Sequence, residues 1–309
     1  MSMVAIRERL AAGKVVFLDG AIGTELQKRG APMDDDAWCA LATESHPHLL
    51  RTIHEDYIRA GADVITVNTF STSCILLGLS GRADRVATLA RRSVEIALEA
   101  RERVARGRPV AVAGSISHMV PMAQGAALGD PSRVPSEAAL RESFRELADT
   151  LAAAGCDLLL MEMMSHPVRA RLAIEAAKAT GLPVWIGFSA RSEEGRVVSY
   201  VRESWPFEEV VPQILRRGGE VAGLMHTNVN TIAPALEILR RHWSGPLMAY
   251  PDSGHFRMPD WQFEDIIAPA DFARACVGWV EAGVRVIGGC CGLSAEHIAA
   301  MTAALQRYR

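Results

Sequence analysis

Two adjacent cysteines, Cys290 and Cys291, stand between glycines in the stretch Val286-Ile287-Gly288-Gly289-Cys290-Cys291-Gly292. Thiolates are soft metal ligands, so two of them side by side suggest a shared ion. On a regular strand neighbouring side chains point to opposite faces, and the pair could then not reach one ion. The flanking glycines let the backbone leave strand geometry and turn both sulfurs toward one point. A second reading stays open here, in which two small apolar thiols pack beside a turn. The six cysteines, at 39, 74, 156, 276, 290 and 291, make no disulfide framework in a chain of 309 residues and read as reduced thiols.

Other polar residues end apolar runs: Asp19, Asn68, Thr69, Ser115, Glu162, Ser189, His226 and Asp252. With Cys290 and Cys291, His226 completes a three-ligand set of the kind that leaves a fourth position on zinc open for chemistry. Glu162 stands between Met161 and Met163, so if buried it needs a cation or hydrogen-bond donors. Asp19 reads either as a site acid or as the cap of a following helix. The remaining histidines fall mostly in loops and helices and read as solvated or structural, with His118 and His255 as weaker site candidates.

To converge, these residues need a scaffold that delivers strand ends to one rim. After a short N-terminal helix, roughly Met3 to Ala12, the chain repeats one phrase: an apolar β-branched run, a polar loop, a helix-period stretch. The runs are Val15 to Gly20, Asp63 to Phe70, Val110 to Ser117, Asp157 to Met163, Pro183 to Ser189, Val221 to His226, Pro246 to Pro251 and Val284 to Cys290. Amphipathic segments lie between them, several opening at a cap such as Ser136 or Ser294 and several closing at glycine, as at Gly155, Gly181, Gly218 and Gly283. Such alternation predicts an α/β fold with a parallel sheet, and eight units across residues 1–309 predict a single-domain (β/α)8 TIM barrel. An open doubly wound sheet is the competitor, but no G-x-G-x-x-G follows the first run. In a barrel the active site lies at the C-terminal strand ends, which is where the polar residues fall. The long stretches Ser117 to Pro135 and Asp252 to Pro269 read as a lid or substrate wall on that face.

Bulk properties narrow the partners. A net charge of -3 gives no reason to expect nucleic acid. No apolar run approaches the ~18 residues of a membrane span, and the N-terminus has no signal pattern, so a cytoplasmic protein acting on small molecules is expected. A homo-oligomer stays open.

The segments Leu18-Asp19-Gly20-Ala21-Ile22-Gly23-Thr24-Glu25-Leu26, Asn68-Thr69-Phe70, Gly114-Ser115, Glu162, Tyr250-Pro251-Asp252-Ser253-Gly254 and Gly288-Gly289-Cys290-Cys291-Gly292 together resemble the zinc-dependent homocysteine S-methyltransferases over almost the full length. The resemblance implies that Cys290 and Cys291 are two of three zinc thiolates. It implies that Asp19 and Glu162 hold the homocysteine amino group or line its pocket, and that Thr69 and Ser253 lie near the amino acid. Phe70 and Ser115 join this substrate set. Three positions depart from the family pattern. Met225-His226 replaces Asn-Cys, which places His226 at the third ligand position; Ser117-His118-Met119-Val120 replaces Gly-Pro-Tyr-Gly; Met163 replaces Thr. The expected reaction is methyl transfer from a sulfonium donor such as S-methylmethionine, rather than betaine, to homocysteine, with Phe70, Trp38, Tyr250, Trp261 and Met119 available to a cationic methyl group. The rivals are a different donor or acceptor, a zinc hydrolase using Glu162 or Asp19 as base, and a non-catalytic homologue binding a sulfur amino acid.

Overall fold

A strand that is apolar on both faces must be covered on both. The eight runs meet that demand in one parallel sheet: β1 Val16–Phe17, β2 Val64–Thr66, β3 Ala111–Ser117, β4 Leu158–Glu162, β5 Val184–Phe188, β6 Val221–Asn228, β7 Leu247–Asp252 and β8 Val284–Ile287. Each lies beside its neighbour in sequence, and β8 pairs β1 through Val16 with Val286 and Phe17 with Ile287. A parallel bridge from Leu18 to Val64 closes the ring between β1 and β2. The architecture is the expected (β/α)8 barrel. It is seen in a computed structural model that describes residues 2–122, 129–201, 203–257 and 262–309.

Alternation along the strands divides the apolar residues in two. Side chains such as Val16, Val64, Leu158, Leu160, Trp185, Val221 and Met248 fill the barrel interior. Their sequence neighbours, such as Phe17, Ile65, Leu159 and Ile186, pack outward against the helices. Trp185 is fully buried, and its indole N–H meets no hydrogen-bond partner among the described residues.

The helices begin and end for local reasons. Ser136 Oγ accepts from Ala139 N to open Glu137–Ala154, and Gly155 closes that helix in the left-handed region at φ +102°. Ser294 and His297 form a capping box at Ala295–Ala304, and His297 Nε2 also reaches the carbonyl of Ile267. Four features differ from the sequence reading. The N-terminal helix is Ser2–Ala11. The stretch between β1 and β2, for which the repeating phrase predicts one helix, holds three: Gly23–Lys28, Ala42–Ser45 and Pro47–Arg59. A hairpin of Ala190–Glu193 with Arg196–Ser199 follows β5, and a second, His255–Arg257 with Gln262–Glu264, stands in the long stretch after β7. Asp19 caps no helix, because the next one starts at Gly23 with Ile22 before it.

Candidate metal centre

The backbone around the cysteine pair is pinned from both sides. Gly288 N donates to Ala249 O, Gly289 N to Asp19 O and Cys290 N to Pro251 O, while Cys291 O accepts from Ser253 N. The segment therefore wedges between the ends of β1 and β7 instead of continuing as a strand. Two glycines make this approach feasible. A Cβ on Gly288 would stand 2.6 Å from Leu18 Cβ, and Gly292 adopts φ +81° with its would-be Cβ 2.4 Å from Ser253 O. The two sulfurs consequently share one side, 3.9 Å apart.

His226 reaches them from β6 by a similar departure. The β6–β7 register shifts between Met225 and Asn228, and His226 itself takes φ +45°. A non-glycine residue held there stores about 1–3 kcal/mol of strain, so the surroundings must enforce it. Met225 O accepts from both Ser189 Oγ at 2.8 Å and Thr227 Oγ1 at 2.9 Å, which fixes the chain on either side of the bend. Phe70 lies against the imidazole with ring centroids 4.8 Å apart. The ring is left with Nδ1 3.4 Å from Cys290 Sγ and Nε2 2.8 Å from Glu162 Oε2.

Donor atoms of His226, Cys290 and Cys291 all lie within 4.8 Å of one another. Tetrahedral zinc with bonds of ~2.0–2.3 Å keeps its donors roughly 3.3–3.8 Å apart. The sulfur–sulfur and sulfur–Nδ1 separations of 3.9 and 3.4 Å therefore suit such an ion with little movement. The open cysteine reading resolves accordingly: both thiols and an imidazole face one point at the mouth of the barrel.

Electrostatics in the metal-free protein divide the thiols. The hydrogen bond from Cys290 lowers Cys291 to about 6, with burial opposing and His226 assisting. Cys290 is held well above the usual thiol range by burial and by its neighbour's thiolate. Burial works against a charged His226, but hydrogen bonds and charges from Cys291 and Glu162 carry it up to about 10. Asp252, at the end of β7, is raised to about 7 by burial and by Cys291, while His226 pulls the other way.

Beside the cluster is a small pocket. Among the sequence-predicted residues Phe70, Ser115, Glu162, His226, Cys290 and Cys291 line it. Glu162 takes Ser115 Oγ–H on Oε1 as well as His226 on Oε2. Three others are placed behind the wall. Asp19 is fully buried and accepts from Thr66 N at 2.6 Å, Thr66 Oγ1 at 3.0 Å and Tyr250 OH at 3.0 Å. Burial pushes its carboxyl up to about 7 although these donors favour the charged form. Thr69 Oγ1 donates to Ser115 O at 2.7 Å, and Ser253 Oγ accepts from Ile267 N at 2.9 Å. His118 is structural: its Nε2 accepts from Ser165 N and His166 N ahead of helix Pro167–Ala179. Trp38 and Tyr250 line the pocket, Met119 does not, and Trp261 lies outside the described residues. Sequence reasoning gave no site role to Cys39, which lines the pocket with its thiol 3.0 Å from Asn68 Oδ1. No spacing signal marks it.

Comparison with known proteins places the chain in a family. Residues 16–305 match the family model described as homocysteine S-methyltransferase. Homocysteine S-methyltransferase 4 of Zea mays is 30% identical, with 96% of this chain and 90% of that protein covered. The selenocysteine methyltransferase of Astragalus bisulcatus is 28% identical over 93% of this chain and 91% of its own length. Among solved structures, the metallated form of the homocysteine methyltransferase MmuM from Escherichia coli has a TM-score of 0.77 at 27% identity, covering 98% of this chain and 99% of that one. Matched along nearly its whole length, the chain belongs to the homocysteine S-methyltransferase family, enzymes that transfer a methyl group to a thiol.

Proposed function

We propose that the protein transfers a methyl group from a sulfonium donor of the S-methylmethionine kind to homocysteine, yielding methionine, with zinc held by His226, Cys290 and Cys291. The observation that carries this reading is the convergence of the three donors on one point beside the pocket. Bound there, zinc would supply Lewis acidity, lowering the acceptor thiol from its free pKa near ~8.5 so that its proton passes to solvent and it is a thiolate at neutral pH. The acceptor sulfur then attacks the methyl carbon in line with the departing donor sulfur, which leaves as a neutral thioether and needs no proton.

The chain's own residues orient and enclose this exchange. Phe70 and Trp38, packed edge to face at 6.1 Å, give a cationic methyl group an aromatic wall. Tyr250, its hydroxyl committed to Asp19 and to Gly20 O, presents a fixed ring. Asp19 and Thr66 act as the footing of that ring, so the contribution we assign Asp19 is to the shape of the acceptor end of the pocket. Thr69 and Ser253 act in the same indirect way, by fixing Ser115 and the strand beside Cys291. Asp252, at the end of β7 within the fields of Cys291 and His226, is the acid we assign to an acceptor's ammonium group.

The test is a screen of zinc-loaded protein with sulfonium and betaine donors against homocysteine, selenocysteine and other thiols, read by mass spectrometry. Methionine formed from homocysteine and a sulfonium donor is expected. A hydrolysed donor without methylated thiol would support a zinc hydrolase, and tight binding without product a non-catalytic homologue; either refutes the proposal.

A further inference from the structure

Glu162 faces a histidine where the family pattern would put a cysteine. Its carboxylate is almost fully buried, and a buried carboxylate needs partners for both oxygens. It has them before any substrate arrives: Oε1 takes the Ser115 hydroxyl, and Oε2 lies 2.8 Å from His226 Nε2. A hydrogen bond between a carboxylate and an imidazole nitrogen requires the proton on that nitrogen. Nε2 is thereby the donor, and the nitrogen remaining for an ion is Nδ1, which stands 3.4 Å from Cys290 Sγ on the side of the thiols. The ring has little freedom to exchange these roles. Its backbone is set at φ +45° by the bend after Met225, and Phe70 lies against its face.

We infer that Glu162 is a positioning residue for the metal centre, fixing the tautomer and ring angle in which His226 offers Nδ1 to the ion shared with Cys290 and Cys291. Ser115 is the outer member of this relay, orienting the carboxylate. The inference rests on the metal reading above. It gives Glu162 work that a cysteine ligand would not demand, since a thiolate has no ring to orient and no second nitrogen to protonate. It also reassigns both carboxylate oxygens from the acceptor's amino group to the protein.

The experiment measures zinc affinity at one pH by competition with a chromophoric chelator, without substrate, for the native protein, Glu162→Gln, His226→Cys and the double variant. A carboxylate that orients a histidine ligand is worth ~10–100-fold in affinity. E162Q is expected to lose that much in the His226 protein and less than about threefold in the His226→Cys background, where nothing remains to be oriented. Cobalt substitution should show a changed ligand-field spectrum on E162Q only when His226 is present. An equal loss in both backgrounds identifies a through-space charge effect and overturns the inference. So does an unchanged zinc affinity with a raised KM for homocysteine, which would return Glu162 to the substrate. If E162Q does not fold, Ser115→Ala tests the same relay with the carboxylate retained. A several-fold zinc loss confined to the His226 background supports the inference, and no loss overturns it. A native protein that binds no zinc refutes the metal reading itself, an outcome separate from these.

Discussion

Asp19→Asn offers a test in which the size of the effect can be worked from the structure. The native carboxyl is fully buried, and its pKa is raised from 3.8 to about 7, chiefly by burial. A group raised on folding contributes stability that is fully present below its unfolded pKa and is lost as pH rises through the folded one. Ionising Asp19 therefore weakens the folded state progressively between about pH 4 and pH 7. The loss follows from about three pKa units at 1.36 kcal/mol each, or on the order of 4 kcal/mol at most. Asparagine removes the titration while keeping most of the bonding. Its oxygen can accept from Thr66 N, and its amide can donate to the hydroxyls of Thr66 and Tyr250, both of which accept as well as donate. The assay is the urea midpoint of both proteins from pH 4 to pH 8.5. Groups such as Asp252 titrate in both and cancel in the difference. D19N should gain on the native protein between about pH 4 and pH 7 and level off above that, at about 2–4 kcal/mol. A difference that stays flat with pH would refute the argument, showing that Asp19 is ionised in the fold without penalty. Kinetics add a second reading: Asp19 acts through Tyr250, so D19N should change KM for the acceptor by less than about tenfold, whereas loss of a direct ammonium contact costs about 2 kcal/mol or more.

Other expectations concern the metal centre itself. His226→Ala should lower zinc content as isolated, while His226→Cys should retain the metal but move the site from formally neutral to a charge of about −1, raising KM for the thiol and increasing its nucleophilicity. Steady-state kinetics on both variants reads this, and full zinc occupancy with native kinetics in H226A would exclude His226 as a ligand. Metal-free protein treated with iodoacetamide at pH 7 should be alkylated at Cys291, lowered to about 6, before Cys290, and zinc should protect both; peptide mass mapping gives the order. Gly292→Ala meets φ +81° and a Cβ 2.4 Å from Ser253 O, so it should lose about 1–3 kcal/mol of stability and most of the bound zinc, read by thermal melting and metal analysis.

The barrel is legible because strands buried on both faces must read as apolar runs, and such runs alternating with amphipathic segments leave few architectures. The clustering of His226, Cys290 and Cys291 is legible for a related reason, since the barrel delivers strand ends to one rim. Helix Pro47–Arg59 was readable from its buried Leu50, Ile53, Tyr57 and Ile58 at helical spacing, yet β-branched and aromatic residues weaken its propensity. The hairpin after β5 turns at Glu194 and Gly195, both with positive φ, and Glu-Gly is a faint signal for a turn usually marked by Asn-Gly. What no local pattern could give is which way a strand-end acid faces. Asp19 and Glu162 both close apolar runs, but Thr66 and Tyr250 cover the first while His226, 64 residues away in sequence, meets the second.

The packed interior beneath the site carries a kinetic consequence. Trp185, Leu160 and Met248 are fully buried and fill the barrel beneath the site, so among the described residues the way to His226, Cys290 and Cys291 is from the C-terminal rim. On the proposed reading, an acceptor held at the cysteines would lie below a donor resting on Phe70 and Trp38. Traffic through such a cul-de-sac is last in, first out. If the proposed placement holds, the thiol is expected to bind before the methyl donor and the demethylated donor to depart before the methylated thiol; product-inhibition patterns test that order, and random binding would refute it.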